Sequence, residues 1–331
     1  MHVFVAGATG AVGRPLVPQL IAAGHDVTAT TRTRAKAGEL RALGVEAVVA
    51  DGLDEGAMTR AVAQAEPDAI VHQMTALARK PDMRRFDRWF ATTNELRTRG
   101  TDILLAAARD VGVERFVAQG YTGWTNPTTG SRVKDETDGF ISDPPRMQVQ
   151  TLAAVRHLED TVPTAVPHGI VLRYSNLYGP GASDPLVDLI RKRRFPVIGD
   201  GEGVWSWTHV DDAAAAAVAA LDHGSPGVYN IVDDEPAPVS EWLPYLAEAV
   251  GAKAPMRVPA WLARIMAGSV AVRWMTEGRG ASNTRAKREL GWQPIWPSWR
   301  EGFRRGLGPT SSPARPRSST GASPSQRGTP A

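Results

Sequence analysis

His2-Val3-Phe4-Val5-Ala6-Gly7-Ala8-Thr9-Gly10-Ala11-Val12-Gly13 follows the first Met. Residues 3–6 are a short apolar run that reads as a strand. Residues 11–23 carry apolar side chains at helical spacing and stop at Gly24, the residue type that best closes a helix. Between them lies a Gly-x-x-Gly-x-x-Gly loop built on Gly7, Gly10 and Gly13, with Ala8, Thr9, Ala11 and Val12 in between. The glycines allow a tight turn, a close approach of backbone to a pyrophosphate, and close contact of helix and strand. The helix start beyond offers amide donors and a positive dipole end. A strand before and a helix after is the context in which this pattern binds a dinucleotide. Without such a ligand it would be only a glycine-rich turn.

Outward from this loop, strand and helix patterns alternate. Strands are expected at residues 26–30, 46–49, 69–72, 115–119 and 169–173, and helices at 35–43, 58–64, 84–111 and 152–162. Such alternation requires right-handed crossovers, hence a parallel sheet covered on both faces. The fold class expected is α/β, a Rossmann doubly wound parallel sheet with a smaller mixed C-terminal substrate region. Residues 1–180 form the NAD(P)-binding Rossmann domain in this reading, and its sheet receives a further strand from the later region. Residues 181–308 form the substrate-binding region, with helices at 213–221, 241–250 and 261–271.

Residues 309–331 contain five Pro, six Ser and three Thr, and no Val, Ile, Leu, Phe, Trp or Tyr. Such a segment cannot bury enough apolar surface to fold, so a disordered tail is expected. The 331 residues carry 38 basic and 35 acidic side chains, a formal net charge of +3. Arg315, Arg317 and Arg327 in the tail account for that whole excess. The remainder is charge-balanced, which argues against nucleic acid or membrane as partner and for a small-molecule substrate. With no Cys, thiol nucleophiles and cysteine-held metals are excluded. The seven His show no ligand spacing, so no metal is expected. No signal peptide precedes the first strand, and a cytoplasmic protein is expected, with a homodimer one assembly open to it.

The end of the second strand reads Thr30-Thr31-Arg32-Thr33-Arg34, with no acid before Glu39. NAD sites place an acid there for the ribose 2′-hydroxyl, whereas an arginine pairs with a 2′-phosphate. NADP is therefore preferred to NAD, with Arg32 as the contact. The alternative is that Arg32 and Arg34 are solvated charges flanking a helix.

Several stretches in order then resemble the extended short-chain dehydrogenase/reductases of the NAD-dependent epimerase/dehydratase type. They are the glycine loop, Asp51-Gly52-Leu53-Asp54, Val71-His72-Gln73-Met74-Thr75-Ala76 and Leu172-Arg173-Tyr174-Ser175-Asn176-Leu177-Tyr178-Gly179-Pro180-Gly181. Trp207-Thr208-His209-Val210-Asp211-Asp212 and Glu289-Leu290-Gly291-Trp292-Gln293-Pro294 complete the series. The resemblance implies cofactor contacts from Asp51, Gly52, Gln73, Met74, Thr75, Tyr174 and Asn176.

It also exposes departures. The family's catalytic Tyr-x-x-x-Lys pair falls on Met147 and Thr151, and residues 141–160 contain neither Tyr nor Lys. Arg97 stands where the family has Asn, with Asn94 one turn earlier. Thr122 falls at the active-site hydroxyl, and Tyr121 beside it. Tyr121 is the candidate replacement acid or base with Thr122 as hydrogen-bond donor, or else an aromatic wall of the pocket. Lys134 reads as a solvated loop residue, His72 as a satisfied core histidine, and Tyr178 as structural with its hydroxyl capped. Asp211 and Asp212 read as caps for the helix that follows, with His209 orienting the junction. The activity expected is hydride transfer on a small carbonyl or alcohol; the competing reading is a non-catalytic NADP(H)-binding sensor or scaffold.

Overall fold

Val, Ile and Phe alternating with small residues put strands at β1 (His2–Ala6), β2 (Asp26–Thr31), β3 (Glu46–Val49) and β4 (Ala69–His72), joined by helices α1 (Gly13–Ala22), α2 (Arg34–Arg41) and α3 (Glu55–Ala65). The computed structural model describes residues 1–77 and 81–308, so the tail expected over 309–331 lies outside the described residues. The next segment runs α4 (Phe86–Glu95), α5 (Thr101–Asp110), β5 (Arg115–Tyr121), β6 (Val133–Lys134), α6 (Val149–Ala165), β7 (His168–Tyr174) and β8 (Asn176–Tyr178). Then come α7 (Asp184–Arg191), β9 (Val197–Ile198), β10 (Val204–Trp205), β11 (Trp207–His209), α8 (Val210–Asp222) and β12 (Gly227–Ile231). The last elements are β13 (Ala237–Pro238), α9 (Val239–Ala249), β14 (Arg257–Val258), α10 (Ala260–Ala267), α11 (Ser269–Glu277), β15 (Gly280–Ala281), α12 (Thr284–Glu289) and α13 (Trp299–Arg305).

The central sheet has seven strands in the order β12-β7-β5-β4-β1-β2-β3, and every pairing is parallel. This is the doubly wound Rossmann arrangement, with its seventh strand β12 drawn from beyond residue 180. Leu16, Val17 and Leu20 of α1 pack with Ala213, Ala216 and Ala217 of α8 on one face. Met58, Val62, Leu104 and Leu158 from α3, α5 and α6 fill the other. The alanines of α8 keep that helix close enough to the strands for both layers to share one core. A separate core of Trp205, Trp207, Trp242 and Trp299 holds the later region together. Among the described residues, no helix is long and apolar enough to cross a membrane.

Two expected helices are broken. Residues 84–111 are not one continuous α-helix: after a single 3₁₀ turn at Met83–Arg85, a π turn at Leu96–Gly100 separates α4 from α5. Polar side chains capture its carbonyls, His72 Nε2 meeting Leu96 O at 3.1 Å and Thr98 Oγ1 donating to Asn94 O at 2.9 Å. That competition with the helical ladder explains the bulge. Residues 261–271 divide into α10 and α11 at Gly268, whose φ of +88° no other residue adopts cheaply.

Candidate active site

The glycine loop lies at the C-terminal end of β1. Gly7 has φ +96°, and a Cβ there would fall 2.7 Å from the Gln73 carbonyl carbon. A Cβ on Gly13 would collide with the Gly7 carbonyl oxygen, so two of the glycines are dictated by backbone contact. Gly10 N–H donates to Gly7 O at 3.1 Å, closing the turn. No side chain caps α1 and its first turn holds no acid, so the positive end of its dipole faces the loop with no carboxylate to offset it, although Arg14 N–H is already taken by Gly10 O at 3.1 Å. Thr9 Oγ1 is 3.4 Å from Thr31 Oγ1, which ties the loop to the end of β2. Arg32, next along, is exposed and makes no ion pair among the described residues.

The neighbouring strand ends complete a continuous rim. Asp51 is exposed and its Oδ1 accepts from Leu53 N–H at 3.0 Å. Gly52 packs so tightly on Met74 that any Cβ would overlap its sulfur. Gln73 is buried; its Nε2 donates to Tyr174 Oη at 3.2 Å and its Oε1 has no partner. Thr75 follows, half-buried. A backbone cradle without side chains, an unclaimed helix start and an unpaired buried amide oxygen fit a dinucleotide laid across these strand ends.

Tyr121 and Tyr174 stand opposite each other in the pairing of β5 and β7. Their hydroxyls have different fates. That of Tyr174 is buried and donates to Ala213 O at 3.1 Å, bracing β7 against α8. That of Tyr121 is inaccessible and has no partner, while its ring stacks on Trp124 with centroids 5.0 Å apart. Burial pushes the Tyr121 phenol well above its usual value, and the nearby Arg97 charge only partly offsets this. Thr122 N–H donates to Tyr174 O at 2.9 Å. Its hydroxyl donates to Asn126 Oδ1 at 3.1 Å, and Asn126 Nδ2 reaches Arg279 O at 3.2 Å. The Thr122 proton is thus spent on an anchor between the two regions. Asn176 is half-buried, with Nδ2 donating to Ser206 O at 2.9 Å. A small cavity lined by Gly123, Trp124, Asn126, Ile141, Gln148 and Trp274 opens beside this cluster.

Met147 and Thr151 offer no acid or base. Met147 is exposed in a 3₁₀ turn, Arg146–Gln148. Thr151 is fully buried, its hydroxyl donating to Asp87 Oδ1 at 2.6 Å and accepting from Asn94 Nδ2 at 3.1 Å. Asp87 also accepts the N–H groups of Gln150 and Thr151, at 3.2 and 2.8 Å. Sequence reading missed Asp87, because a carboxylate that serves another helix's first turn leaves no local pattern. It also missed the buried bidentate pair of Glu159 with Arg173, at 2.7 and 2.6 Å.

Three expectations need correction. Lys134 is buried in β6, its ammonium 2.8 Å from Asp138, because β6 is sandwiched against β15. Capping of α8 falls to His209, whose Nδ1 accepts from Asp211 N–H at 3.1 Å. Asp212 instead turns away to accept from Ile295 and Trp296 N–H, at 2.6 and 3.1 Å, strapping down the C-terminal segment. Tyr178 is buried against Trp207, His209 and Phe303, but its hydroxyl has no partner. Two expectations hold: His209 Nε2 meets Gly306 O at 3.0 Å across the junction, and both ring nitrogens of His72 are used, by Leu96 O and Met74 N–H.

The model of the NAD dependent epimerase/dehydratase family matches residues 3–232. A 3-diazoavenalumate denitrifying reductase from a Streptomyces species is 42% identical over 311 residues, 92% of this chain and 100% of the relative. A 2-alkyl-3-oxoalkanoate reductase of Stenotrophomonas maltophilia is 28% identical, covering 76% of each chain. The UDP-glucose 4-epimerase of Thermotoga maritima, solved with UDP-glucose, superposes with a TM-score of 0.72 at 22% identity, over 93% of this chain and 97% of that one.

Proposed function

Because the chain belongs to the NAD-dependent epimerase/dehydratase family, we propose that it is an NADPH-preferring reductase that reduces an electrophile needing no Tyr–Lys pair. Gly7, Gly10 and Gly13, with the amides of Ala11 and Val12 and the Thr9 hydroxyl, receive the pyrophosphate of the cofactor. Arg32 takes the 2′-phosphate, which favours NADP over NAD. Asp51, Gly52 and Met74 flank the adenosine, while Gln73, Thr75, Tyr174 and Asn176 line the path toward the nicotinamide end. When bound, the reduced nicotinamide supplies a hydride. Residues 1–180 act as the cofactor domain and 181–308 cover the substrate.

The observation that carries this reading is the 42% identity running the whole length of a denitrifying reductase of a diazo compound. We assign the substrate as an aromatic diazonium ion, in which a hydride replaces the N2 group, releasing dinitrogen, leaving a C–H bond and cancelling the positive charge. No proton is added or removed, so no side chain has to supply one. The geometry at Met147 and Thr151 suits that chemistry, for the Met147 side chain holds no ionisable group and the Thr151 hydroxyl is held between Asp87 and Asn94. The test is to mix the protein with NADPH and an arenediazonium salt and follow nicotinamide absorbance and dinitrogen. Equimolar loss of NADPH and release of dinitrogen is expected; NADPH unchanged against a no-enzyme control would defeat the reading.

A second reading rests on the unpartnered Tyr121 hydroxyl. For a carbonyl substrate, as the 3-oxo acid reductase among the relatives suggests, Tyr121 would donate the proton and Thr122 would hold the carbonyl oxygen. This requires Thr122 to release Asn126 and Tyr121 to give up a proton that burial holds tightly.

A further inference from the structure

Arg97 lies in the π turn after α4 and is only 2% exposed. Its Nε and Nη1 have no hydrogen-bond partner, and it makes no ion pair among the described residues. Tyr121 and Glu159 are the acidic groups that bear on it, and both oxygens of the Glu159 carboxylate are taken by Arg173. His72 is held neutral, its pKa pulled down to about 4 by burial, and Tyr121 is neutral too. Glu159 is spent on Arg173, which the half-buried Glu136 also faces electrostatically, so Arg97 is left a buried cation with no ion-pair partner among the described residues. Such a charge is expensive unless something completes it. Bonds to the fold do not explain it, because its Nε and Nη1 make none.

Its surroundings are aromatic. The guanidinium carbon stands 5.8 Å from the Phe90 ring centroid, Phe90 packs edge-on to Trp124, and Trp124 stacks on Tyr121. Tyr121 ends β5, at the sheet edge where ligands of this fold enter. We propose that Arg97 is the receptor for an anionic oxygen, carboxylate or phenolate, of a flat conjugated substrate. Unpaired N–H groups supply charge-assisted hydrogen bonds, and Phe90, Tyr121 and Trp124 supply the walls. A substrate lacking that anion leaves the cation buried and unpaired, so the site selects for acids. The inference rests on the reductase reading above, since the ligand is its substrate, but its test does not depend on turnover.

The experiment is equilibrium binding to NADP⁺-saturated protein, read by tryptophan fluorescence and calorimetry. The probes are cinnamate, 4-nitrophenolate and neutral cinnamamide, on wild type, Arg97→Met and Arg97→Lys. Wild type should prefer at least one of the two anions to the amide, and which one it prefers identifies the group recognised. Arg97→Met should weaken that anion by about 30-fold or more, as expected when one partner of a buried charged pair is removed. It should leave cinnamamide and NADP⁺ within about 3-fold, with Arg97→Lys between the two. The ligand-free Arg97→Met protein should melt no lower than wild type, because an uncompensated charge has gone. Equal losses for anion and amide, no anion preference in wild type, collapse of NADP⁺ affinity, or a lower melting temperature restored by Lys would each overturn the proposal. Failure here with diazonium reduction intact leaves the reductase reading standing. Anion binding without any diazonium reduction does the reverse.

Discussion

The hydroxyl and the backbone N–H of Thr151 both donate to one oxygen of Asp87, at 2.6 and 2.8 Å. This joins α4 to the first turn of α6, so the Asp87 carboxylate caps a helix other than its own.

Asp87→Ala removes three hydrogen bonds and leaves the buried Thr151 O–H without an acceptor. A destabilisation of about 1–3 kcal/mol is expected by urea unfolding. Less than about 0.5 kcal/mol would show that the cap is incidental.

Arg32→Glu should weaken NADPH by about 10- to 100-fold while leaving NADH nearly unchanged, the scale of a charge-assisted phosphate contact. Direct titration of both cofactors measures it. Equal losses would remove Arg32 from the 2′-phosphate.

Tyr121→Phe separates the two chemistries. Diazonium reduction should stay within about 3-fold of wild type, whereas any carbonyl reduction should fall by about 10²–10⁴. A comparable collapse of both would make the hydroxyl necessary to hydride transfer itself.

His72 sets a pH window. Burial lowers its pKa from 6.5 to about 4, so the unfolded chain binds the extra proton between those values. Its contribution to stability is complete above pH 6.5 and is lost as the pH falls through 4, by about 3 kcal/mol in total. Unfolding free energies of His72→Gln should show a shallower acid limb than wild type. Parallel limbs would mean that His72 does not govern it.

The parallel sheet was legible because glycine positions and strand periods are local. Gly7 and Gly13 must be glycine through contacts a few residues away or one strand over. Elements that depend on distant partners were not legible. Lys134 looks solvated until β15 arrives from residue 280, and Asp212 looks like a cap until residues 295 and 296 claim its oxygens. The π turn is hidden for the same reason, since His72, from β4, holds its first carbonyl. In the candidate site, that residues 141–160 hold neither Tyr nor Lys could be counted from the sequence. Arg97 could be named as a departure, but its buried and unpaired state emerges only when α4, β5 and α6 close around it.

Hydride delivery without a proton donor is tested most directly by isotope transfer. An arenediazonium salt is reduced with NADPH deuterated at the transferable position, in ordinary water, and the product is weighed by mass spectrometry. One deuterium at the carbon that lost nitrogen, with one dinitrogen released per NADPH oxidised, is the expected result. Hydrogen from solvent at that carbon would contradict it.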